Sequence, residues 1–214
     1  DPYSLSHNSI QHMFQDASGD VWIGTRDGIN YLNMNQQAFV HFRAEAHNNT
    51  CLNNKVVFAI QQDRRGHIWF GTEEGGLNYF DRTTGLFSYY RHEPGNPSSL
   101  TVNNIKALAE DEEGNLWIGT YLGGLNIFYR KQRFFSHYLH NENDTTTIAG
   151  NTVTGLCRDH EGDLWIALEG LGLDCLAKHG SRFKHIRPRQ NSIMFQTVFV
   201  DRRNRIWTDR KSVV

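Results

Sequence analysis

The sequence has little of several things that would place it quickly. Cysteine is scarce, with Cys51, Cys157 and Cys175 an odd set lacking any CxxC spacing, which excludes a disulfide framework and a structural zinc site and leaves small buried or half-buried side chains. Long hydrophobic runs are missing: the longest clean one, Val56 to Ile60, falls far short of the roughly 20 residues of a spanning helix. Charge of one sign is missing too. Against 23 Asp and Glu stand 22 Lys and Arg, a net charge of -1, which excludes the strongly basic balance of a nucleic-acid binder. Composition also excludes disorder, since 38% of residues are hydrophobic and only 21% charged. The opening Asp1-Pro2-Tyr3-Ser4 has neither a basic start nor an apolar signal core, so the protein is either cytosolic or has a targeting segment outside these residues. One asymmetry hides in the neutral total: residues 178 to 214 carry ten basic and two acidic side chains. These charges are interleaved with apolar residues and read as solvated strand and loop surface rather than as a run that meets an anionic partner.

What the chain does have is a repeat. Tryptophans stand at 22, 69, 117, 165 and 207, spaced by 47, 48, 48 and 42 residues. An aspartate precedes each by six positions (Asp16, Asp63, Asp111, Asp159, Asp201), and a glycine precedes four of them by three. In the fifth unit Asn204 stands there instead, the next-best residue for positive φ. After the tryptophan come Ile23-Gly24-Thr25, Phe70-Gly71-Thr72 and Ile118-Gly119-Thr120, weakening to Ile166-Ala167-Leu168. Next are Gly28-Ile29-Asn30, Gly76-Leu77-Asn78, Gly124-Leu125-Asn126 and Gly172-Leu173-Asp174, and about ten residues later an aromatic-rich stretch.

Each unit converts into four strands. In the third, Asn104 to Asp111, Leu116 to Thr120, Leu125 to Tyr129 and Phe134 to His140 are separated by turn-rich residues. Four short antiparallel strands in about 48 residues make one propeller blade. Strand alternation puts Trp117 and Gly119 on one face and Leu116 and Ile118 on the other, so both faces are apolar and both must be covered, as in stacked blades. The Gly or Ala two residues beyond four tryptophans leaves room for bulk from the adjoining blade. The tryptophans read as core and the aspartates as turn caps. The expected architecture is an all-β propeller segment of four-stranded antiparallel blades at about 4–50, 51–98, 99–146 and 147–190, with a truncated fifth at 191–214. Five complete units would need about 240 residues, so an incomplete or open ring, part of a larger propeller with unpaired strand edges, is expected, and Lys211-Ser212-Val213-Val214 is off pattern.

The string Asp-x-x-Gly-Asn/Asp/His-aliphatic-Trp-Ile/Phe-Gly-Thr, followed by Gly-Leu-Asn, has a lead-in visible as Ser4-Leu5-Ser6-His7-Asn8-Ser9-Ile10 and Ser99-Leu100-Thr101-Val102-Asn103-Asn104-Ile105, with a looser copy at Thr147 to Val153. Together they resemble the two-component regulator propeller repeat over nearly the whole chain. The resemblance implies the periplasmic sensor region of a Bacteroides-type hybrid two-component system. There, propellers precede a β-sandwich, a transmembrane helix and a histidine kinase, and many sense oligosaccharides. An oligosaccharide or other small molecule is then the expected ligand and a homodimer through the full-length receptor the expected assembly. By this reading the segment itself contacts no nucleic acid, inserts in no membrane, carries no cofactor and has no catalytic residues, any kinase activity lying elsewhere in the parent protein.

Strand direction puts the loops between blades and the turns joining second to third strands on one face. Where the scaffold repeats, these turns vary, and Arg26, Asp27, Glu73, Glu74, Tyr121 and Glu169 are the candidate ligand-binding residues. They mix donors, acceptors and one aromatic, the combination a sugar's hydroxyls and C–H face require. Other readings compete. Each residue could be an ordinary exposed turn residue, the whole could be a protein-interaction scaffold, or it could be an enzyme. Sialidase-type boxes have one residue fewer between Asp and Gly, and streptogramin-lyase-type repeats have Thr-Glu where this chain has Gly-Thr. His137 and His140 point to opposite faces of a strand with no third ligand, and Asp16-Ala-Ser-Gly-Asp is a turn rather than a calcium loop, so no metal is expected.

Overall fold

The structure is a computed structural model that describes residues 4–35, 39–46, 48–187 and 195–209. The off-pattern Lys211 to Val214, the opening Asp1-Pro2-Tyr3 and most of the interblade loop expected at 187–192 lie outside the described residues. The described residues form eighteen strands and no helix. They are β1 (Ile10–Gln15), β2 (Val21–Thr25), β3 (Gly28–Leu32), β4 (Phe39–Phe42), β5 (Val57–Gln62), β6 (Ile68–Thr72), β7 (Leu77–Asp81), β8 (Leu86–Tyr90), β9 (Ile105–Glu110), β10 (Leu116–Thr120), β11 (Leu125–Tyr129), β12 (Phe134–Tyr138), β13 (Val153–Arg158), β14 (Leu164–Leu168), β15 (Gly172–Leu176), β16 (Phe183–Ile186), β17 (Val198–Val200) and β18 (Ile206–Thr208). They build four four-stranded sheets and a two-stranded fifth, so four blades are complete and one is partial. Within each complete sheet the strands pair in chain order and antiparallel. β12 ends at Tyr138, two residues short of the expected His140, because the backbone leaves the ladder there and the His140 N–H donates to Asn151 Oδ1 at 2.8 Å.

The chain divides into two compact units, residues 1–93 with 103–105, and 94–102 with 106–214. In the first, β1–β4 and β5–β8 enclose a core in which the Trp22 ring lies 4.4 Å from Tyr31, 5.9 Å from Phe42 and Phe70 and 6.3 Å from Phe80, centroid to centroid. Gly24 makes that core possible, because a Cβ there would stand 2.9 Å from Val57 O and 3.2 Å from Val57 Cγ1. Gly71 plays the same part for Ile105, which belongs to this unit. In the second unit a Cβ on Gly119 would meet Val153 Cγ1 at 2.5 Å, and Ala167, fully buried, packs in one cluster with Phe195 and Val198. The glycine two residues after Trp22, Trp69 and Trp117 thus receives an aliphatic side chain, Val57, Ile105 or Val153.

The aspartate six residues before each tryptophan does more than cap a turn. Asp159 Oδ1 accepts the N–H groups of Glu161 (3.0 Å) and Asp163 (2.9 Å), while Oδ2 accepts the Trp165 indole N–H at 2.9 Å. The same indole bond recurs at Asp16–Trp22 (3.0 Å), Asp63–Trp69 (3.4 Å), Asp111–Trp117 (3.2 Å) and Asp201–Trp207 (2.9 Å). One carboxylate therefore fixes both the hairpin and the indole, and at the buried Asp16, Asp63 and Asp111 each charge-assisted bond contributes ~1.5–3 kcal/mol. The turn's third residue takes positive φ every time, and Asn204 (φ 59°) does in the fifth unit what Gly162 (φ 91°) does in the fourth. The reading of all five tryptophans as core needs correction: Trp22 and Trp69 are buried, Trp117 and Trp165 half-buried, and Trp207 is 53% exposed, since among the described residues its indole is covered chiefly by Arg205, 5.1 Å from its centroid.

Candidate functional site

The turns carrying the candidate residues are set by a second recurring device. The Asn of each Gly-aliphatic-Asn triplet is buried and reaches back 24 or 25 residues to the lead-in of its own blade. Asn30 Oδ1 accepts the Ser6 N–H (2.7 Å), Asn78 Oδ1 the Asn53 N–H (3.1 Å), and Asn126 Oδ1 the Thr101 N–H (3.0 Å), with the amide NH2 returning a bond to the side chain of the same lead-in residue. The threonine closing the second strand donates across the turn, from Thr120 Oγ1 to Gly124 O at 2.8 Å. A buried amide with both ends satisfied specifies one geometry, because leaving either end unpaired costs ~1–3 kcal/mol. In the fourth blade the pattern changes. Leu168 replaces the threonine, and Asp174 replaces the asparagine, accepting the Ala149 N–H at 2.8 Å and lying 2.6 Å from His185 Nδ1. Burial on its own lowers the His185 pKa, yet its hydrogen bonds to the Asp174 carboxylate and Thr145 O outweigh that and hold it above the usual imidazole value.

In the first unit the backbone brings four candidates together. Gly28 N donates to Lys55 O (2.6 Å) and Glu73 N to the next residue's carbonyl, Val56 O (3.0 Å), so the β2–β3 turn with Arg26 and Asp27 adjoins the β6–β7 turn with Glu73 and Glu74. Arg26 and Glu74 are exposed, Asp27 and Glu73 half-buried, and Glu74 takes φ 57°. Their charged groups make no hydrogen bond with other described side chains. In the second unit the same construction pairs the other two: Gly124 N donates to Asn151 O (2.8 Å) and Glu169 N to Thr152 O (3.1 Å). Tyr121 is 42% exposed with Lys106 Nζ 5.8 Å from its ring centroid, so one face of the ring already carries a cation. Sequence reasoning passed over Leu122 (65% exposed, φ 65°) and Leu171 (39% exposed), which flank this pair with apolar surface. The signal was present, since a Leu stands where a Glu or Gly stands in neighbouring repeats.

The histidine pair considered for a metal is spent on the backbone, His137 Nε2 lying 2.7 Å from Ser99 O and His140 Nδ1 2.8 Å from Ile148 O. Among the described residues no group of three or more His, Cys, Asp and Glu side chains is placed to hold a metal ion. The Asp16 carboxylate is committed to Ser18 N, Asp20 N, the Trp22 indole and Arg82 Nη1. No helix among the described residues is long and apolar enough to cross a membrane.

The family model described as the two component regulator propeller matches residues 4–27, 51–74, 99–122 and 147–170. No curated protein matches the chain. Among solved structures, the extracellular domain of the hybrid two component system BT3049 from B. thetaiotaomicron shares 23% identity at a TM-score of 0.82, over 96% of this chain and 28% of that one. PorZ, a surface component of the type-IX secretion system of Porphyromonas gingivalis, shares 15% identity at a TM-score of 0.67, over 95% of this chain and 31% of its own. Virginiamycin B lyase from Staphylococcus aureus shares 12% at 0.72, over 94% of this chain and 63% of its own. These likenesses establish the fold, and the chain spans about a third or less of the length of the first solved relatives it matches.

Proposed function

The chain is built of two-component regulator propeller repeats, and from that premise we propose that it is a ligand-sensing segment of the ectodomain of a bacterial hybrid two-component sensor. It binds an oligosaccharide in the periplasm and controls a histidine kinase elsewhere in the parent protein. Its likeness to the B. thetaiotaomicron extracellular domain supports the sensor reading. The observation that carries ligand binding is the pairing of unengaged polar groups with an exposed aromatic at the turns that differ between repeats: Arg26 and Asp27 beside Glu73 and Glu74, and Tyr121 beside Glu169. Carboxylates and a guanidinium bind hydroxyls in pairs, and the open face of Tyr121 offers the C–H side of a pyranose a flat partner. The reading is one of binding, in which these carboxylates and the guanidinium serve as hydrogen-bonding partners of the ligand's hydroxyls.

A thermal-shift screen of the chain against oligosaccharides tests it, because a ligand at 100 times its Kd stabilises the folded state by ~2.7 kcal/mol. Tyr121→Ala and Glu73→Ala should each weaken the hit by about tenfold; titrations that leave affinity unchanged in both variants would sink the assignment of this face. A second reading rests on Leu122, Leu171 and Tyr121, whose exposed apolar surface suits a protein partner. Binding to a folded protein that Leu122→Ser abolishes, with no sugar response, would favour it.

A further inference from the structure

The two units treat the space over the inner face of their tryptophans differently. In the first it is full: the rings of Tyr31, Phe70 and Phe80 surround Trp22, and Arg82 closes the wedge, its Nη1 2.9 Å from Asp16 Oδ2 and its guanidinium carbon 5.7 Å from the indole centroid. In the second unit the repeat register puts Ile127 where Tyr31 stands, Ile166 for Phe70, Leu176 for Phe80 and Lys178 for Arg82. Three rings have become aliphatic. Lys178 pairs with Glu112 Oε2. Three of the substituted residues, Ile127, Leu176 and Lys178, line with Trp117 a cavity of about 240 Å³ between β10–β12 and β13–β15, at the other end of the strands from Tyr121 and Glu169. It is just below the ~300–1,000 Å³ of pockets that bury drug-sized ligands, so it suits a compact one.

The electrostatics of the cavity keep the imprint of the missing arginine. Asp111 is 6% exposed, and its carboxylate is held only by neutral donors: Asn115 N (2.8 Å), Asn115 Nδ2 (3.0 Å) and the Trp117 indole (3.2 Å). Among the described residues the cation that Arg82 supplies to Asp16 has no counterpart at Asp111. Glu113 stands exposed at the mouth, while Arg158 donates to Gly162 O and Lys178 is taken by Glu112. Asp111 and Glu113 line the cavity with Arg158 and Lys178, yet neither of these cations is bonded to Asp111, whose carboxylate lies beside an indole that Tyr138 stacks on at 5.8 Å, centroid to centroid. An indole face next to a buried carboxylate is where a planar organic cation gains from both the ring quadrupole and the charge.

We propose that this cavity binds a guanidinium- or alkylammonium-bearing small ligand, whose cation takes over Trp117 and Asp111 the place that Arg82 holds over Trp22 and Asp16. The site is separate from the turn face assigned to oligosaccharide and does not depend on that assignment. The source of the cation is a free amine or an arginine side chain of a short peptide. The test titrates the full chain, with its tryptophans 15N-labelled, with agmatine, with the tripeptide Gly-Arg-Gly and with glucose as a neutral control, following the indole N–H signals by NMR. The expected result is a saturable shift of the Trp117 signal by agmatine or the tripeptide, the stronger of the two naming the source, with Trp22 unmoved. Lys178→Arg combined with Leu176→Phe refills the wedge and should weaken binding at least tenfold, the equivalent of ~1.4 kcal/mol. Glu113→Gln, at an exposed turn that tolerates the change, should weaken it about two- to threefold. No saturable Trp117 shift up to about 50 mM cation, an equal shift by glucose, or undiminished binding in both variants overturns the proposal.

Discussion

Gly119 and Val153 give the sharpest measure of how the blades of the second unit hold together. Gly119 lies outside the left-handed region of φ, so alanine there is strained by neighbours alone, its Cβ 2.5 Å from Val153 Cγ1 and 3.3 Å from Ala107 Cβ. Overpacking of this kind costs ~1–3 kcal/mol, offset by ~0.4–1 kcal/mol from the stiffer unfolded chain, so Gly119→Ala should lose ~1–2 kcal/mol. Val153 is fully buried, and Val153→Ala removes two methyl groups at ~0.8 kcal/mol each and leaves a hole, a loss of ~2–3 kcal/mol. If the two side chains compete for one space, the new methyl fills part of that hole. The double variant should then lose only ~2 kcal/mol against ~4 for the sum, a coupling of ~1–2 kcal/mol. Urea unfolding followed by tryptophan fluorescence measures all four corners of the cycle. Single-variant losses that add within ~0.5 kcal/mol would refute direct stacking of Val153 on Gly119.

Three further outcomes follow from the side-chain networks. Asn126→Ala strands the half-buried Thr101 N–H and should destabilise by ~1–3 kcal/mol, while the isosteric Asn126→Asp, which keeps the acceptor as Asp174 does, should lose less; chemical denaturation ranks them. Because the folded pKa of His185 is raised, its contribution to stability is fully present below the unfolded value of about 6.5 and is lost as pH rises through the folded value; Asp174→Asn should lower that pKa in an NMR titration and flatten the decline. Burial pushes the thiol of Cys157 up to about 12 and that of Cys175 to about 11, so at pH 8 a thiol reagent should modify Cys51 well ahead of either, and peptide mapping that finds Cys157 labelled first would contradict the burial.

The strands were legible because their signals are periodic. The expected Leu116–Thr120 and Leu125–Tyr129 coincide with β10 and β11, since the Asp-x-x-Gly turn and the paired glycines bracket them on both sides. The constant six-residue offset between Asp and Trp was equally visible, but the bond it encodes was not, because nothing in a spacing says that the indole N–H folds back onto the turn. His140 was drawn into the fourth strand by its aromatic neighbours, and only its bond to Asn151, eleven residues on, takes it out. At the candidate turns the sequence separated variable from repeated positions, yet the adjacency of Arg26 to Glu73, or of Tyr121 to Glu169, depends on which carbonyls of the next lead-in each turn engages. The cavity over Trp117 was the least legible feature. Its lining includes three substituted positions, Ile127, Leu176 and Lys178, spread over two repeats, whose joint effect exists only where the two sheets face each other.

The asparagine bond to the lead-in has a consequence for how such a chain is born. Each one joins residues 24 or 25 apart inside a single repeat, as Asn78 does with Asn53, so its loop-closure entropy is modest and all of its partners leave the ribosome together. At ~5–20 residues per second a repeat of about 48 residues takes ~2–10 s to synthesise, far longer than hairpins need to form. A nascent blade can therefore latch itself while its tryptophan face still waits for the aliphatic residue of the next. Synthesis then proceeds as vectorial addition of pre-closed modules, in which a lost latch delays one blade and a lost stacking residue delays every blade that follows.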